Sequence, residues 1–414
     1  MDFPIEAVRR RFPALHTADG GQPRVYFDAP GGTQACAPAI ARMREHLERG
    51  TANSGGAFCS SVETDRMSEE AHEAMADLLG GDSAEIAFGP NMTSLTFAVS
   101  RALSRDWGAG DEIVLTRLDH DANVAPWLLV ARDKGMAVRW IDFDPATGVL
   151  DLDALPALLG PRTRLVAVGG ASNALGTLND LPAVVAAVRA HSDALVYVDA
   201  VQSVPHVVTD VRAMGCDFLL CSPYKFFGPH QGVLWGRREL LEQLEAYKVR
   251  PASDQPAAVR LETGTPSFEG QAGVLGTIEY LEWLGTECGG EANSRRGRLT
   301  AAMEAAQAYE QVLGDRLLAG LASVEGLHLW GVPTMAGRVP TFSFTMENQI
   351  PQEIAAFLAE RNIFAWSGHF YAVEVIERLG LAEQGGLLRV GLCHYSTAEE
   401  VDRLIQALRE LGRS

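Results

Sequence analysis

Between Val25 and Leu241 the chain alternates between two hydrophobic periodicities, and this alternation limits the possible folds more than any other feature. The short β-rich runs "EIAFG", "EIVLT", "AVRWIDF", "RLVAVGGASN", "ALVYVDAV", "CDFLLCS" and "GVLWG" are nearly continuous in apolar residues. Helical stretches such as "SLTFAVSRALS", "ANVAPWLLVARDKG" and "LPAVVAAVRAHS" lie between several of them. Strands joined through helices need crossover connections, so the sheet they form is mainly parallel and covered on both faces. Continuous rather than alternating hydrophobicity is what burial of both faces requires. Seven such runs predict a seven-stranded, mainly parallel α/β sheet.

Beyond Leu241 the pattern changes. A long helical periodicity runs from about Gln271 to Leu318, broken near "GTECGGEANS". The last part, from "LHLWGV" through "VPTFSFTM" to "VDRLIQALREL", reads as strand, strand, helix, strand, strand, helix. It predicts a small C-terminal α/β domain. The expected division is an N-terminal segment, 1–20, packing with the small domain; a large domain, 21–290; and the small domain, 291–414. With 414 residues, 47% of them hydrophobic, the chain has ample length for two cores.

A net charge of −18 disfavours nucleic acid as a partner, because an acidic surface repels phosphate backbones. No segment approaches the roughly 20 apolar residues of a membrane span, and "MDFPIEAVRRRFPAL" lacks the apolar h-region of a signal peptide. The six cysteines form no CxxC, and no histidine cluster has metal-ligand spacing, so no metal is expected. This thiol pattern suits a reducing cytoplasm.

In open α/β sheets, ligands bind at the carboxyl ends of the strands. Unusual polar residues fall at such ends here. A Gly-Pro-Asn turn opens a helix at Met92–Ser94, whose exposed N–H groups suit a phosphate. His120 and Asn123 follow "EIVLT", Asn173 follows "RLVAVGG", Asp199 and Gln202 close "ALVYVDAVQ", and Ser222 and Lys225 follow "DFLLC". Taken singly, each has a plain explanation: an aspartate capping a turn, a solvated histidine, a lysine snorkelling out of an apolar patch. Together, in this order, they suit pyridoxal phosphate (PLP). Lysine forms a Schiff base with its aldehyde, a carboxylate keeps the pyridine nitrogen protonated, a flat side chain stacks on the ring, and a helix N-terminus takes the phosphate.

The stretches "YFDAPGGTQ", "LDHDANVAPW", "ASNALGT", "VYVDAVQSVPH", "DFLLCSPYKFFGPHQGVLWG", "ETGTPSFEG" and "RVGLCHYSTAEEVDRL" span nearly the whole chain. In them the sequence resembles the class V aminotransferase family of fold-type I PLP enzymes, the group that contains the cysteine desulfurases, and in particular a cysteine desulfurase-like subgroup. The resemblance implies a role for each residue. Lys225 carries the cofactor, Asp199 pairs with the pyridine nitrogen, Gln202 reaches the phenolic oxygen, and His120 stacks on the ring. Met92, Thr93 and Ser222 hold the phosphate, with Thr265 reaching it from the other subunit of a homodimer. Asn173 and Arg389 take the carboxylate of a small amino-acid substrate, an assignment that the fork geometry of arginine also favours.

The sequence departs from the family pattern twice. Tyr224 stands where desulfurases have a histidine before the lysine; a phenol still serves cofactor binding. In the loop "WSGHFYAVEV", Tyr371 occupies the position of the persulfide-forming cysteine, and none of the six cysteines lies in that loop. Cys36 and Cys59, in loop-like segments, are the alternatives. Without a thiolate there, direct nucleophilic removal of sulfur from cysteine has no agent. The expected activity is therefore C–S β-elimination of an S-substituted cysteine, giving a thiol, pyruvate and ammonia. Sulfur transfer of the desulfurase kind, decarboxylation, transamination and epimerisation are the alternatives on the same scaffold. Gly31, Phe58, Trp366, His369, Phe370 and Tyr371 are expected around the substrate.

Overall fold

The structure, a computed structural model, describes residues 3–289 and 293–412. Its centre is a sheet of seven strands: β1 (Ile86–Gly89), β2 (Glu112–Thr116), β3 (Ala137–Ile141), β4 (Thr163–Gly169), β5 (Leu195–Asp199), β6 (Phe218–Cys221) and β7 (Gly232–Gly236). Each coincides with one of the seven apolar runs. The spatial order is β1-β7-β6-β5-β4-β2-β3. Only β7 runs against its neighbours, β1 and β6; the other pairings are parallel.

Alternate side chains of these strands enter two different cores. Val114, Val166, Val168, Val196, Val198 and Leu219 pack on one face with Phe226, Phe227, Val274 and Ile278. Ile113, Leu115, Leu165, Ala167, Tyr197, Phe218 and Leu220 pack on the other with Leu95, Val99 and Trp127. The edge strand β3 departs from the expectation of two-sided burial. Only Ile141 in it is buried: it is the edge strand, unpaired on its outer side among the described residues, and Arg139 reaches back to Glu112 of β2 through a two-pronged ion pair of 2.7 and 2.8 Å.

A second, antiparallel sheet comprises β8 (Leu327–Trp330), β9 (Thr341–Met346), β10 (Trp366–Gly368) and β11 (Leu387–Gly391), in the order β8-β9-β11-β10. It has its own core, with Phe342, Phe344, Ile354, Leu388, Val390 and Leu404. The helix Ala398–Leu411 covers it and starts with a reciprocal cap between Thr397 and Glu400. The chain start is tied to this layer. Val25–Tyr26 pairs in parallel with Ile363–Phe364, Arg9 pairs with Glu400 at 3.0 Å, and Phe3 stacks on Tyr309 at 4.2 Å. Phe12, by contrast, wedges between Phe227 and Tyr395 at 5.1 and 4.9 Å. The helices Phe268–Glu287 and Arg295–Leu321 flank the boundary expected between 290 and 291, which lies outside the described residues. Among the described residues no helix is long and apolar enough to cross a membrane.

Candidate active site

The carboxyl ends of β1, β2, β4, β5 and β6 converge on one cleft, and the chosen polar residues meet there. After β1, Asn91 caps the helix Met92–Leu103 by accepting from the Ser94 N–H at 2.8 Å. The other N–H groups of that first turn have no acceptor within the helix. Met92 is buried, whereas Thr93 faces the cavity. Gly232 on β7 lets the turn pack this closely, since a Cβ there would stand 2.4 Å from the Asn91 carbonyl carbon. Ser222, at the end of β6, lines the same small recess as Met92, Thr93, Asp199 and Gln202.

Lys225 is one of three lysines in the chain and is 9% exposed. Its Nζ donates to the Pro30 carbonyl, which also accepts from Gln202 Nε2 at 2.8 Å. Burial pulls its pKa down to about 7; the Arg389 cation adds to the shift and the Asp199 anion opposes it. Asp199 sits deeper. Burial raises its carboxyl to about 6, against the Val201 N–H that it accepts at 2.9 Å and the nearby Lys225. His120 is pushed down to about 4 by burial and by the charges of Lys225 and Arg389. Its Nδ1 accepts from the Ala122 N–H at 3.0 Å, so the neutral ring carries its proton on Nε2.

Sequence reasoning passed over Asp119. It is fully enclosed below His120 and accepts from Thr116 Oγ1 at 2.6 Å, Asn123 Nδ2 at 2.7 Å and the Gly169 N–H at 2.8 Å. Burial outweighs these bonds and raises its carboxyl to about 7. The residue ties the end of β2 to the end of β4 and so fixes the segment that carries His120. Its position directly before His120 in "LDHDAN" was the available signal.

The small sheet closes the cleft. Arg389 on β11 is 5% exposed and donates from Nη1 to the Asn173 carbonyl at 2.7 Å, while its Nε has no protein partner. Burial lowers its pKa to about 9. The Phe370 ring lies over its guanidinium at 4.1 Å. Asn173 Nδ2 donates to the Phe370 carbonyl at 2.8 Å, and the Asp121 N–H donates to the Tyr371 carbonyl at 2.7 Å. These bonds hold two successive residues, Phe370 and Tyr371, at φ of 53° and 57°, a left-handed conformation that non-glycine residues rarely take. Tyr371 then stacks on His120, ring centres 5.6 Å apart, with His369 edge-on to it at 5.8 Å. Gly31, Tyr224, His369 and Trp366 complete the lining of a cavity of about 860 Å³.

Two predicted residues fall elsewhere. Phe58 does not line this cavity: as the N-cap of the helix Cys59–Leu79 its ring points outward, and it is 59% exposed. Thr265 is exposed and also outside the cavity of its own chain. No cysteine lines the cavity. Cys36 is buried, which raises its thiol to about 11, and Cys59 is exposed at a helix start. The donor set fits PLP: a buried amine that loses its proton near neutrality, an enclosed carboxylate, a neutral imidazole, and free N–H groups at a helix start beside a serine.

The model of the family described as aminotransferase class-V matches residues 25–404. A cysteine desulfurase of Yersinia pestis (strain Pestoides F) is 32% identical over 428 residues, covering 100% of this chain and 99% of that protein. The apo structure of a cysteine desulfurase from Thermococcus onnurineus NA1 superposes with a TM-score of 0.88 at 26% identity, over 100% of this chain and 99% of that one. A cystine C–S lyase, solved with its reaction product cysteine persulfide, shares the fold with a TM-score of 0.79 at 21% identity, over 96% and 99% of the two chains.

Proposed function

We propose that this chain, which belongs to the class-V aminotransferase family of fold-type I PLP enzymes, is a lyase that cleaves the C–S bond of an S-substituted cysteine. The observation that carries the reading is the loop at Tyr371. The amine and carboxylate of a PLP enzyme are in place, but no thiol lines the cavity. Bound PLP supplies an electron sink for a carbanion at Cα. Asp199 would pair with its ring nitrogen, Gln202 with its phenolic oxygen, and the neutral His120 ring would stack on it. Met92, Thr93 and Ser222, which line one recess, would hold its phosphate, with the Tyr224 phenol and Thr265 of a second subunit as further donors.

Arg389 takes the substrate carboxylate with the guanidinium edge that has no protein partner. Asn173 supports it by accepting through its carbonyl and by anchoring Phe370. Lys225 holds the cofactor and, once freed, accepts the Cα proton. A pKa near neutrality is what a general base needs at working pH. The Cβ–S bond then breaks and sulfur leaves with the electron pair, taking up a proton. The net reaction converts an S-substituted cysteine and water into a thiol, pyruvate and ammonia. No protein thiol takes part; water supplies the carbonyl oxygen of pyruvate. The partner arrangement that fits is a homodimer, and the free thiols fit a reducing cytoplasm.

Incubation with a panel of S-substituted cysteines, with products identified by mass spectrometry, tests the reading. Thiol and pyruvate in equal amounts are expected. A decarboxylated amine, a keto acid retaining sulfur, or an inverted amino acid instead would overturn it. The 32% identity to a cysteine desulfurase favours sulfur transfer as the second reading; its signature is alanine from free cysteine and a protein-bound persulfide.

A further inference from the structure

The cavity is polar at its floor and aromatic at its rim. Lys225 and Arg389, 9% and 5% exposed, supply the floor. Trp366 and Tyr371, 54% and 65% exposed, flank the opening, with Phe370 between them in sequence and Phe97 also in the wall. Large aromatic rings left in water beside a cavity are a common mark of a ligand surface. Trp366 has no ring partner among the described residues, and its indole edge lies on Gly31, where a Cβ would stand 2.5 Å from Nε1. Tyr371 is held in a left-handed conformation with its ring parallel to His120 within 28°. The Tyr371 ring is thus seated on His120 and the Trp366 indole on Gly31 before any ligand arrives, which lowers the entropic cost of binding. The cavity of about 860 Å³ is of the size that holds drug-sized molecules, with room beyond cofactor and cysteine.

We propose that Trp366 and Tyr371 form a specificity clamp for a flat, aromatic S-substituent, so that the substrates are arylalkyl or aryl conjugates of cysteine. The proposal rests on the lyase reading for the identity of the amino-acid head and adds the class of the tail. An amino-acid head directed to Arg389 and Lys225 sends its side chain toward the rim, where the two rings stand. A short alkyl tail would leave both in water.

The test uses ligands that cannot react. 3-(Benzylthio)propanoate and 3-(methylthio)propanoate carry the carboxylate and the thioether but no amine, so their binding to the holoenzyme, measured by calorimetry, reads the cavity without turnover. The benzyl ligand should bind at least tenfold more tightly than the methyl one. Trp366→Ala and Tyr371→Ala should each remove most of that ratio. Tyr371→Phe should keep it, since the ring and not the hydroxyl is invoked. Both side chains are exposed, so the variants should fold, and circular dichroism checks this. Equal affinity of the two ligands in the wild type, or an undiminished ratio in the alanine variants, would overturn the clamp. Failure of the lyase reading looks different: S-benzylcysteine would yield no thiol although the benzyl ligand binds.

Discussion

Apoprotein freed of cofactor should capture PLP at a rate that climbs with pH up to about 7 and levels off above it, because Lys225 titrates there. Only the neutral amine attacks the aldehyde. An exposed lysine, with a pKa of about 10.4, is neutral in roughly one molecule in 2,500 at pH 7. Lys225, with its pKa drawn to about 7, is neutral in half of them, a gain of roughly a thousandfold. Burial is the largest cause, the Arg389 cation adds to it and the Asp199 anion works against it. The signs follow for the variants. Arg389→Gln removes a cation that disfavours the ammonium, so the midpoint should move up. Asp199→Asn removes an anion that favours it, so the midpoint should move down. Stopped-flow recording of the visible absorbance of attached cofactor, at pH values from about 5.5 to about 10, gives the curve. A rate that keeps rising tenfold per pH unit beyond about pH 9 would refute the claim that this site desolvates its lysine. A midpoint that moves down in Arg389→Gln would refute the electrostatic part.

Asp119→Asn replaces an acceptor oxygen with a donor facing other donors, so stability should fall by about 1–3 kcal/mol, most at about pH 4–5 and less toward pH 7, where the wild type itself loses stability. Because burial raises the Asp119 carboxyl to about 7, the folded state binds its proton more tightly than the unfolded state. Its contribution is then lost as pH rises from about 4 to about 7, and the variant should lack this part of the slope; urea unfolding at several pH values measures both, and an unchanged midpoint at every pH refutes the account. Thr265 is exposed and outside the cavity of its own chain, so if it serves the phosphate it does so across a dimer: Thr265→Ala should weaken cofactor retention, and a monomer saturated with PLP in sedimentation analysis would count against this. A variant with all six cysteines replaced should keep turnover of its substrate, and intact-mass analysis of the wild type after exposure to free cysteine should show no added sulfur. A stoichiometric gain of one sulfur, reversed by reductant, would move the protein to the desulfurase side.

The large sheet was legible in the sequence because both of its faces are buried, and burial on both faces writes a continuous apolar run. The edge strand β3 shows the limit: its pattern reads like the others in "AVRWIDF", yet only Ile141 is buried. His120, Asn173, Asp199 and Lys225 were legible because each sits at or just past a strand end, where chain direction alone predicts convergence; Arg389, in the middle of β11, came from the family resemblance. Asp119 was missed because an acid before a histidine reads as a turn residue, and its enclosure depends on Gly169, fifty residues away. Phe58 lies outside the cavity of its own chain, and the sequence carries no sign of this, because an aromatic ring in a loop does not reveal which way it faces; here it is the exposed N-cap of a helix. The pinning of Phe370 and Tyr371 comes from Asn173 and Asp121. Contacts of that kind, between distant loops, leave no periodic trace.

The two departures from the family pattern have a common physical form. Tyr224 and Tyr371 are both tyrosines, and each lies nearly flat on a histidine: Tyr224 on His230 at 4.9 Å and 11°, Tyr371 on His120 at 5.6 Å and 28°. Tyr224 also fixes the segment before Lys225, since its carbonyl accepts from the Thr33 N–H at 2.9 Å and from Thr33 Oγ1 at 3.1 Å. On the resemblance, both tyrosines stand where the desulfurase pattern has a side chain with a chemical task, an imidazole or a thiol, and here each ring stacks on a histidine. Asp199 and Lys225, to which the proposed mechanism gives the electron sink and the proton transfer, keep the residue types of the family pattern. Removing a nucleophile while keeping a base and a sink has a selective effect. On the proposed lyase reading, it withdraws the route in which sulfur is attacked and leaves the route in which sulfur departs as a leaving group. On that reading the departing thiol would be held and released at the rim that Trp366 and Tyr371 line.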